Sequence, residues 1–320
     1  MVKRNENCNM KKLRYLFLAG LLVIAVASCT KFKGDQEIPA YMCIKPWTLI
    51  TNYDNEGADT EAITDAWIYV DGNVHGCFEI RPKENDTSVT VPILRKGKHT
   101  VTLYPGIKMN GIASTRIQYP FYRPFVIENY EFTPGKTDTV YPSTTYYSID
   151  EGQVKFKLME DFESLAMKFS KADNSDTTVY RVSWDESKPH YDPLAWTGNV
   201  DKSKYSGKVT LCDTIDYFCI LSERMNDLPK MGNYILLELD YRCDVEFEVG
   251  LHALTQNGYE NFELVWVRPS SEWKKIYINL GPTVTDNQTA TWWKLFIAGS
   301  TVNGETANFY FDNIKVVYRD

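Results

Sequence analysis

The chain has 320 residues and carries 42 Asp and Glu side chains against 35 Lys and Arg, a formal net charge of −7 at pH 7. This length is enough for two domains, each with a hydrophobic core of its own. The acidic balance argues against nucleic acid and anionic lipid as partners, because neutralising phosphate requires a basic surface.

The N-terminal segment predicts a secretory signal. Lys11, Lys12 and Arg14 precede an apolar run at residues 16–27 that ends in small residues, which is the build of an export signal. The run is shorter than the roughly twenty apolar residues that a membrane-spanning helix needs. We therefore expect residues 1–28 to direct export and to be removed.

The end of this segment, Val26-Ala27-Ser28-Cys29, resembles the lipobox of bacterial lipoproteins. The resemblance implies that the Cys29 thiol is acylated, with palmitate as the expected type of chain, and that the polypeptide is cut just before it. Several acyl chains anchor a protein stably, since each buried methylene contributes about 0.8 kcal/mol. Residues 29–37 are then the lipidated cysteine and a short polar tether. The alternative is an ordinary cleaved signal with an incidental cysteine.

Beyond the tether the pattern is typical of β-strands. Asp71-Gly72-Asn73 stands between two apolar, β-branched runs, and this predicts a hairpin because glycine and Asn/Asp tolerate the positive φ of its turn. The series at residues 69–103, in which Tyr-Val-Asp-Gly is followed by Gly-Lys-His-Thr-Val-Thr-Leu, resembles PEGA and immunoglobulin-like domains. The resemblance implies a β-sandwich over residues 38–147.

An aromatic segment at residues 118–125 contains four aromatic side chains and two prolines, and Tyr119, Phe121 and Tyr122 are its candidate binding residues. Prolines keep such a segment extended and out of central strands. Two interpretations stay open. The segment is either an exposed aromatic surface that grips a partner or a proline-rich loop that covers the end of the sandwich.

A polar, proline-led stretch at residues 142–145 is typical of a linker, so we expect the second domain over residues 148–320. Its opening Asp-Phe-Glu (161–163) and its final Phe-Asp-Asn-Ile-Lys-Val (311–316) resemble the jelly rolls of carbohydrate-binding modules and galactose-binding-like domains. The strands between alternate apolar with polar residues, so one face of each sheet is buried. The predicted fold class is all-β, with two tandem β-sandwiches and no long helix after Cys29.

The jelly-roll resemblance also implies a structural calcium ion. In the resembled domains, carboxylates of the first and last strands often share Ca²⁺, and the matching residues are Asp161, Glu163 and Asp312. Hard oxygen ligands suit calcium. The alternative is that these carboxylates cap strand ends and solvate the rim of the sandwich. No other cofactor is expected.

Three aromatic residues of the second domain are candidates for surface binding. Trp184, Tyr191 and Trp196 lie in a loop-like stretch that prolines interrupt. Aromatic side chains on exposed loops can stack on the face of a sugar or anchor a protein partner. We expect most of the other tryptophans of this domain to pack in or near its core.

The sequence favours binding over catalysis. The four histidines are scattered, and the nucleophile-elbow, P-loop and dinucleotide-binding patterns are absent. Acidic pairs would serve glycoside hydrolysis only if two carboxylates faced each other across a sugar, and no sequence pattern places such a pair. We therefore expect a protein that is not an enzyme.

The whole arrangement is similar to Bacteroidota outer-membrane surface lipoproteins with tandem sandwiches. The resemblance implies a lipid-anchored protein of the outer membrane, exposed at the cell surface. One function it implies is an interaction subunit of an outer-membrane barrel complex, with the β-barrel assembly machinery as the suggested complex, and residues 118–125 favour this. The alternative is a surface glycan-binding lipoprotein that serves a TonB-dependent nutrient importer, which Trp184 and Trp196 favour.

Overall fold

The computed structural model of the chain describes residues 37–83, 86–183, 204–301 and 304–319. The predicted export signal and lipid site, residues 1–28 and Cys29, lie outside these ranges and stay predictions. No helix in the described ranges combines the length and the apolar character that crossing a membrane requires.

The first module, residues 38–147, is a β-sandwich. Its strands are β1 (Ala40–Ile44), β2 (Thr48–Leu49), β3 (Asp65–Val70), β4 (Asn73–Glu79), β5 (Arg81–Lys83), β6 (Asp86–Ile93), β7 (Gly97–Lys108), β8 (Arg116–Gln118), β9 (Phe125–Phe132), β10 (Thr137–Val140) and β11 (Ser143–Thr144), with a single-turn helix α1 (Tyr53–Glu56) after β2. One sheet has the order β10-β1-β6-β5, and the other has the order β4-β3-β7-β8 with β9 also paired to β7. The predicted β3–β4 hairpin is confirmed, since its turn has a positive φ at Asp71 and Gly72.

The second module, residues 148–319, is a larger sandwich. Its strands are β12 (Lys155–Glu160), β13 (Phe169–Lys171), β14 (Tyr180–Ser183), β15 (Tyr205–Leu211), β16 (Tyr217–Ser222), β17 (Ile235–Cys243), β18 (Phe247–Thr255), β19 (Gly258–Val267), β20 (Ser270–Asn279), β21 (Trp292–Ser300) and β22 (Ala307–Tyr318), with a short helix α2 (Gly281–Asp286) after β20. A six-stranded sheet has the order β14-β15-β22-β17-β20 with β12 also paired to β22. A five-stranded sheet has the order β13-β16-β21-β18-β19. The predicted all-β class with two sandwiches is confirmed.

Strand β22 is buried on both faces. Phe309, Phe311 and Val316 point into the core of the second module, whereas Val317 packs in the core of the first. Alternation along the strand shifts by one residue next to Asn313, which has a φ of 48° and lies at the irregularity in the pairing with β17. This shift places Ile314, Val316 and Tyr318, which follow it, on the inner face.

The two modules share a core, which differs from the expected linker-joined arrangement. Leu236, Tyr277 and Val317 of the second module are buried in the apolar cluster of the first. The predicted linker at 142–145 is not a solvated connection, because β11 within it pairs with β2 and Thr144 is buried. The sequence missed this because the partner strand lies about a hundred residues earlier.

Candidate functional site

The outer face of the five-stranded sheet carries a groove, which we call the sheet groove. Its volume is about 600 Å³, within the usual range for small-ligand sites. The residues that shape it are Tyr217, Glu248, His252, Tyr259, Glu263 and Phe296. They come from β16, β18, β19 and β21, and their side chains face away from the main core because neighbouring residues on a strand alternate between the faces of a sheet.

The floor of the sheet groove is a small apolar cluster separate from the main core. It contains Ala172, Cys219, Phe296 and Ala298. Phe296 lies over Gly250, since a Cβ at that glycine would come within 2.4 Å of the phenyl ring. Because Gly250 has no side chain, the Phe296 ring can lie against the backbone of β18 and leaves the groove above it open.

One end of the sheet groove has an aromatic wall. The rings of His252 and Tyr259 stack with their centroids 5.8 Å apart and an interplanar angle of 10°. Trp292 lies beside them at 5.7 and 5.9 Å, and the Arg224 guanidinium lies 4.7 Å from the centre of the Trp292 ring. Tyr259 is 70% exposed, so its ring is available to a ligand.

Toward the other end, Glu248 provides an acceptor without a protein partner. Its Oε1 atom is enclosed and makes no hydrogen bond within the described chain. Burial raises the pKa of Glu248, and the nearby Glu263 carboxylate raises it further. Enclosed acceptors normally have a donor, and a rotation of the side chain that turns this oxygen into the sheet groove would bring it to a hydroxyl of a bound molecule.

The structure corrects the interpretation of the aromatic segment as an exposed surface. Tyr119, Phe121 and Tyr122 are each at most 2% exposed and pack in the core that the modules share. Tyr119 and Tyr146 both donate hydrogen bonds to the buried carboxylate Oε1 of Glu238. These aromatic side chains join the two modules and present no surface to a partner.

The other predicted binding residues, Trp184, Tyr191 and Trp196, lie outside the described residues, so their role stays a prediction. Sequence reasoning missed the residues of the sheet groove. The available signal was the stripe of Tyr259, Asn261 and Glu263 at every second position of β19, which places one aromatic and two polar side chains on one face.

The three carboxylates predicted to bind calcium lie near one another, and hydrogen bonds within the chain already engage two of them. Asp161 accepts hydrogen bonds from Tyr53 and from the Glu163 backbone, and one oxygen of Glu163 accepts two backbone N–H groups, those of residues 204 and 205. Burial holds the pKa of Asp312 well above its usual range. In the described part of the chain no three such side chains are placed to hold one ion. Calcium stays a prediction, which the effect of EDTA on the melting temperature would test.

Comparisons with known proteins find similarity in fold only. No protein-family model matches the chain, and no curated protein matches it. Among solved structures, the C-terminal family 22 carbohydrate-binding module of Xyn10B from Clostridium thermocellum has a TM-score of 0.34 and 14% identity, covering 51% of this chain and 94% of that one. A family 11 module from the same organism, in complex with a mixed-linked tetrasaccharide, has a TM-score of 0.33 and 15% identity over 51% and 94%. The enzymatically active domain of bacteriophage CBA120 tailspike protein 4 has a TM-score of 0.36 and 11% identity, covering 50% of this chain and 20% of that one.

Proposed function

We propose that the protein binds a glycan in the sheet groove without cleaving it. The observation that carries this proposal is the enclosed, unpartnered oxygen of Glu248 in the same groove as the exposed ring of Tyr259. A sugar combines hydroxyl groups, which would supply the missing donor, with an apolar ring face, which would stack on an aromatic side chain. Glu248 and His252 are four residues apart on β18, about 13 Å at the strand rise, so the groove accommodates more than one sugar unit.

The test is isothermal titration of the full chain with neutral gluco-, xylo- and manno-oligosaccharides. Substituting Tyr259→Ala should weaken the binding of the preferred sugar about fivefold, because stacking on an aromatic ring contributes about 1 kcal/mol. The matched control is Tyr141→Ala, which removes an equally exposed tyrosine (71%) from the first module and should leave affinity unchanged. The proposal fails if no sugar binds, or if the Tyr259 variant binds as tightly as the parent.

The role of Glu248 predicts a pH dependence. A hydroxyl that donates to the carboxylate favours its ionised form, so affinity should fall as the pH is lowered through the raised pKa of Glu248. Glu248→Gln should bind more weakly at neutral pH and lose this dependence. Prolonged incubation with the bound sugar should release no new reducing ends, whereas cleavage would contradict a binding role.

The lipid anchor is the other part of the proposal and is supported by the sequence alone. Acyl chains at Cys29 would hold the protein at the outer membrane with both modules outside the cytoplasm. Metabolic labelling with palmitate should mark the parent chain, and a Cys29→Ala variant should leave the membrane fraction. An unlabelled parent, or a variant that still fractionates with the outer membrane, would remove the anchor from the proposal.

The hypothesis that the protein docks on an outer-membrane barrel depended on an exposed aromatic segment at residues 118–125. Residues 119, 121 and 122 of that segment are buried, so this support is lost. The more specific form of the glycan proposal is that the protein binds glycans for a TonB-dependent nutrient importer. Purification in mild detergent should recover a large barrel in stoichiometric amount if that association exists. Elution of the protein alone would leave glycan binding without an importer.

A further inference from the structure

One end of the first module, which we call the free end, carries a small apolar groove. The turns between β3 and β4, between β6 and β7 and between β9 and β10 lie at this end, beside the start of β1. The groove has a volume of about 450 Å³. It is lined mainly by apolar residues, among them Pro39, Val70, Val74, Pro92 and Leu94.

Large apolar side chains are exposed around this groove. Val74 is 61% exposed and Leu94 is 53% exposed, and both line the groove. Ile38, which is 64% exposed, precedes Pro39 at its rim. A single exposed apolar residue needs no explanation, but several around one groove mark a contact surface.

The free end also carries cations, although the whole chain is acidic. Arg95, Lys96 and Lys98 follow Leu94 along the chain, and all three are exposed. None of them forms an ion pair with a carboxylate in the described ranges. Exposed apolar side chains beside cations suit a phospholipid surface, because the apolar groups enter the interface while the cations stay at the phosphates.

The predicted lipid anchor limits how far the free end can lie from the membrane. Ile38 is the ninth residue after Cys29, and even a fully extended chain of this length spans at most about 30 Å. A partner protein on the free end would have to fit between this end and the membrane within that reach. The short distance therefore favours the membrane itself as the occupant.

The second module lies at the opposite end of the first. Strand β7 begins at Gly97 beside the free end and ends at Lys108. Just after it, Asn110 donates its backbone N–H to the Tyr277 carbonyl of the second module at 2.7 Å. The 12 residues of β7 span about 35 Å at the rise of a strand. A membrane at the free end would therefore leave the second module, with the sheet groove, well away from the lipid.

We propose that the free end rests on the phospholipid surface. Val74 and Leu94 enter the boundary between headgroups and acyl chains, and Arg95 and Lys96 lie at the phosphate groups. This inference rests on the lipid anchor proposed at Cys29 and goes beyond it, because an anchor alone leaves the orientation of the protein open. The contact at the free end fixes that orientation and directs the second module outward.

The experiment reconstitutes the full lipidated chain in vesicles of three parts phosphatidylethanolamine to one part phosphatidylglycerol. Photoreactive benzoylphenylalanine replaces Val74 or Leu94, and irradiation attaches this side chain to whatever lies beside it. Mass spectrometry should find phospholipid attached at both positions. The matched control carries the same group in place of Tyr141, which is 71% exposed just after β10, at the other end of the first module. The control should attach lipid at most about a tenth as often, because it lies away from the bilayer.

A charge variant tests the apolar contact. Leu94→Asp places a carboxylate where the phosphates repel it and where it would lose water, so lipid attachment at position 74 should fall about fivefold or more. Ile112→Asp replaces a similarly exposed residue (50%) in the turn after β7 and should leave attachment unchanged. Because both replaced side chains are exposed, unchanged melting temperatures should confirm folding.

Each outcome decides between the proposals. Flotation of the parent chain with the vesicles reports the anchor, and phospholipid attached at positions 74 and 94 supports the contact at the free end. An anchored protein that attaches lipid equally well at position 141, or at no position, would overturn this inference and leave the anchor intact. Attachment to a second copy of the chain would overturn it as well, since the free end would then be an interface between copies. A parent chain that does not float would reject the anchor and this inference together, whereas glycan binding is tested separately by the titrations.

Discussion

Glu61 is a partly buried carboxylic acid of the first module, just before β3. Its side chain accepts a hydrogen bond from the backbone N–H of Ile63. Burial raises the pKa of Glu61 to about 7, even though that hydrogen bond and the charge of Lys275 both act to lower it. The folded protein therefore holds a proton here that the unfolded chain releases near pH 4.5.

This difference predicts how stability changes with pH. Because the folded state binds the proton more tightly, the free energy of unfolding should fall as pH rises from about 4.5 to about 7 and then level off. Glu61→Gln cannot ionise, so it should match the parent at pH 4 and exceed it by about 1–3 kcal/mol at pH 8. Urea unfolding at both pH values checks this. Equal stabilities at pH 8 would mean that the carboxylate is solvated.

At the residue scale the sequence indicated the types of binding side chain better than their positions. It predicted aromatic binding residues, but burial of Tyr119 depends on a carboxylate 119 residues away along the chain. Tyr259 was missed because its neighbours Gly258 and Glu260 give no apolar alternation that would show which face of the strand is buried. Whether an aromatic side chain is core or surface is decided by what packs on it from the other module.

The strands at the junction carry a buried network of charges. Lys275 on β20 lies 3.0 Å from Asp240 and 3.5 Å from Glu238, both on β17. Thr60 of the first module donates to Asp240 at 2.7 Å and accepts from Lys275 at 3.0 Å. The charged side chains of Glu238, Asp240 and Lys275 thus face the first module. They pair with one another, and Thr60 of the first module adds hydrogen bonds to Asp240 and Lys275.

Removing the cation of this network should be costly. Lys275→Met leaves two buried carboxylates without their counter-ion, and such a loss destabilises a protein by about 3–5 kcal/mol. Thermal unfolding of the variant measures the effect. The control is Lys274→Met at the exposed neighbouring position, with an expected change of at most about 0.5 kcal/mol. Similar melting temperatures for the two variants would contradict the role assigned to Lys275.

At the element scale, the local sequence pattern predicts where the strands lie but does not predict which strands pair with each other. The Asp-Gly turn predicted the β3–β4 hairpin because its geometry depends on adjacent residues. The composition of residues 142–145 predicts a linker, because proline and hydroxyl residues favour loops. However, β11 pairs with β2, about a hundred residues earlier in the chain. The local composition does not predict a contact at that distance.

In the whole molecule the two sandwiches should unfold together. Separating them would expose Leu236, Tyr277 and Val317, each at most 1% exposed, together with the charges of the network. We therefore expect one calorimetric transition for the full chain. The fragments 38–147 and 148–320, made separately, should each melt well below it or aggregate.

Two resolved transitions in the full chain, or a fragment that melts at the temperature of the intact protein, would show that the modules are independent. The Lys275→Met variant provides the control, because weakening the shared core should shift the whole transition without splitting it.

The position of β22 constrains the order of events during synthesis. This strand follows all the other strands of both modules in chain order, yet it lies between β15 and β17 in the six-stranded sheet and supplies Val317 to the first module. Domains usually fold in turn as the N-terminus emerges, but here neither sandwich is complete until β22 has been made. The nascent chain therefore cannot complete its packing until β22 has left the ribosome, and a stop codon within this strand would cost both halves of the protein.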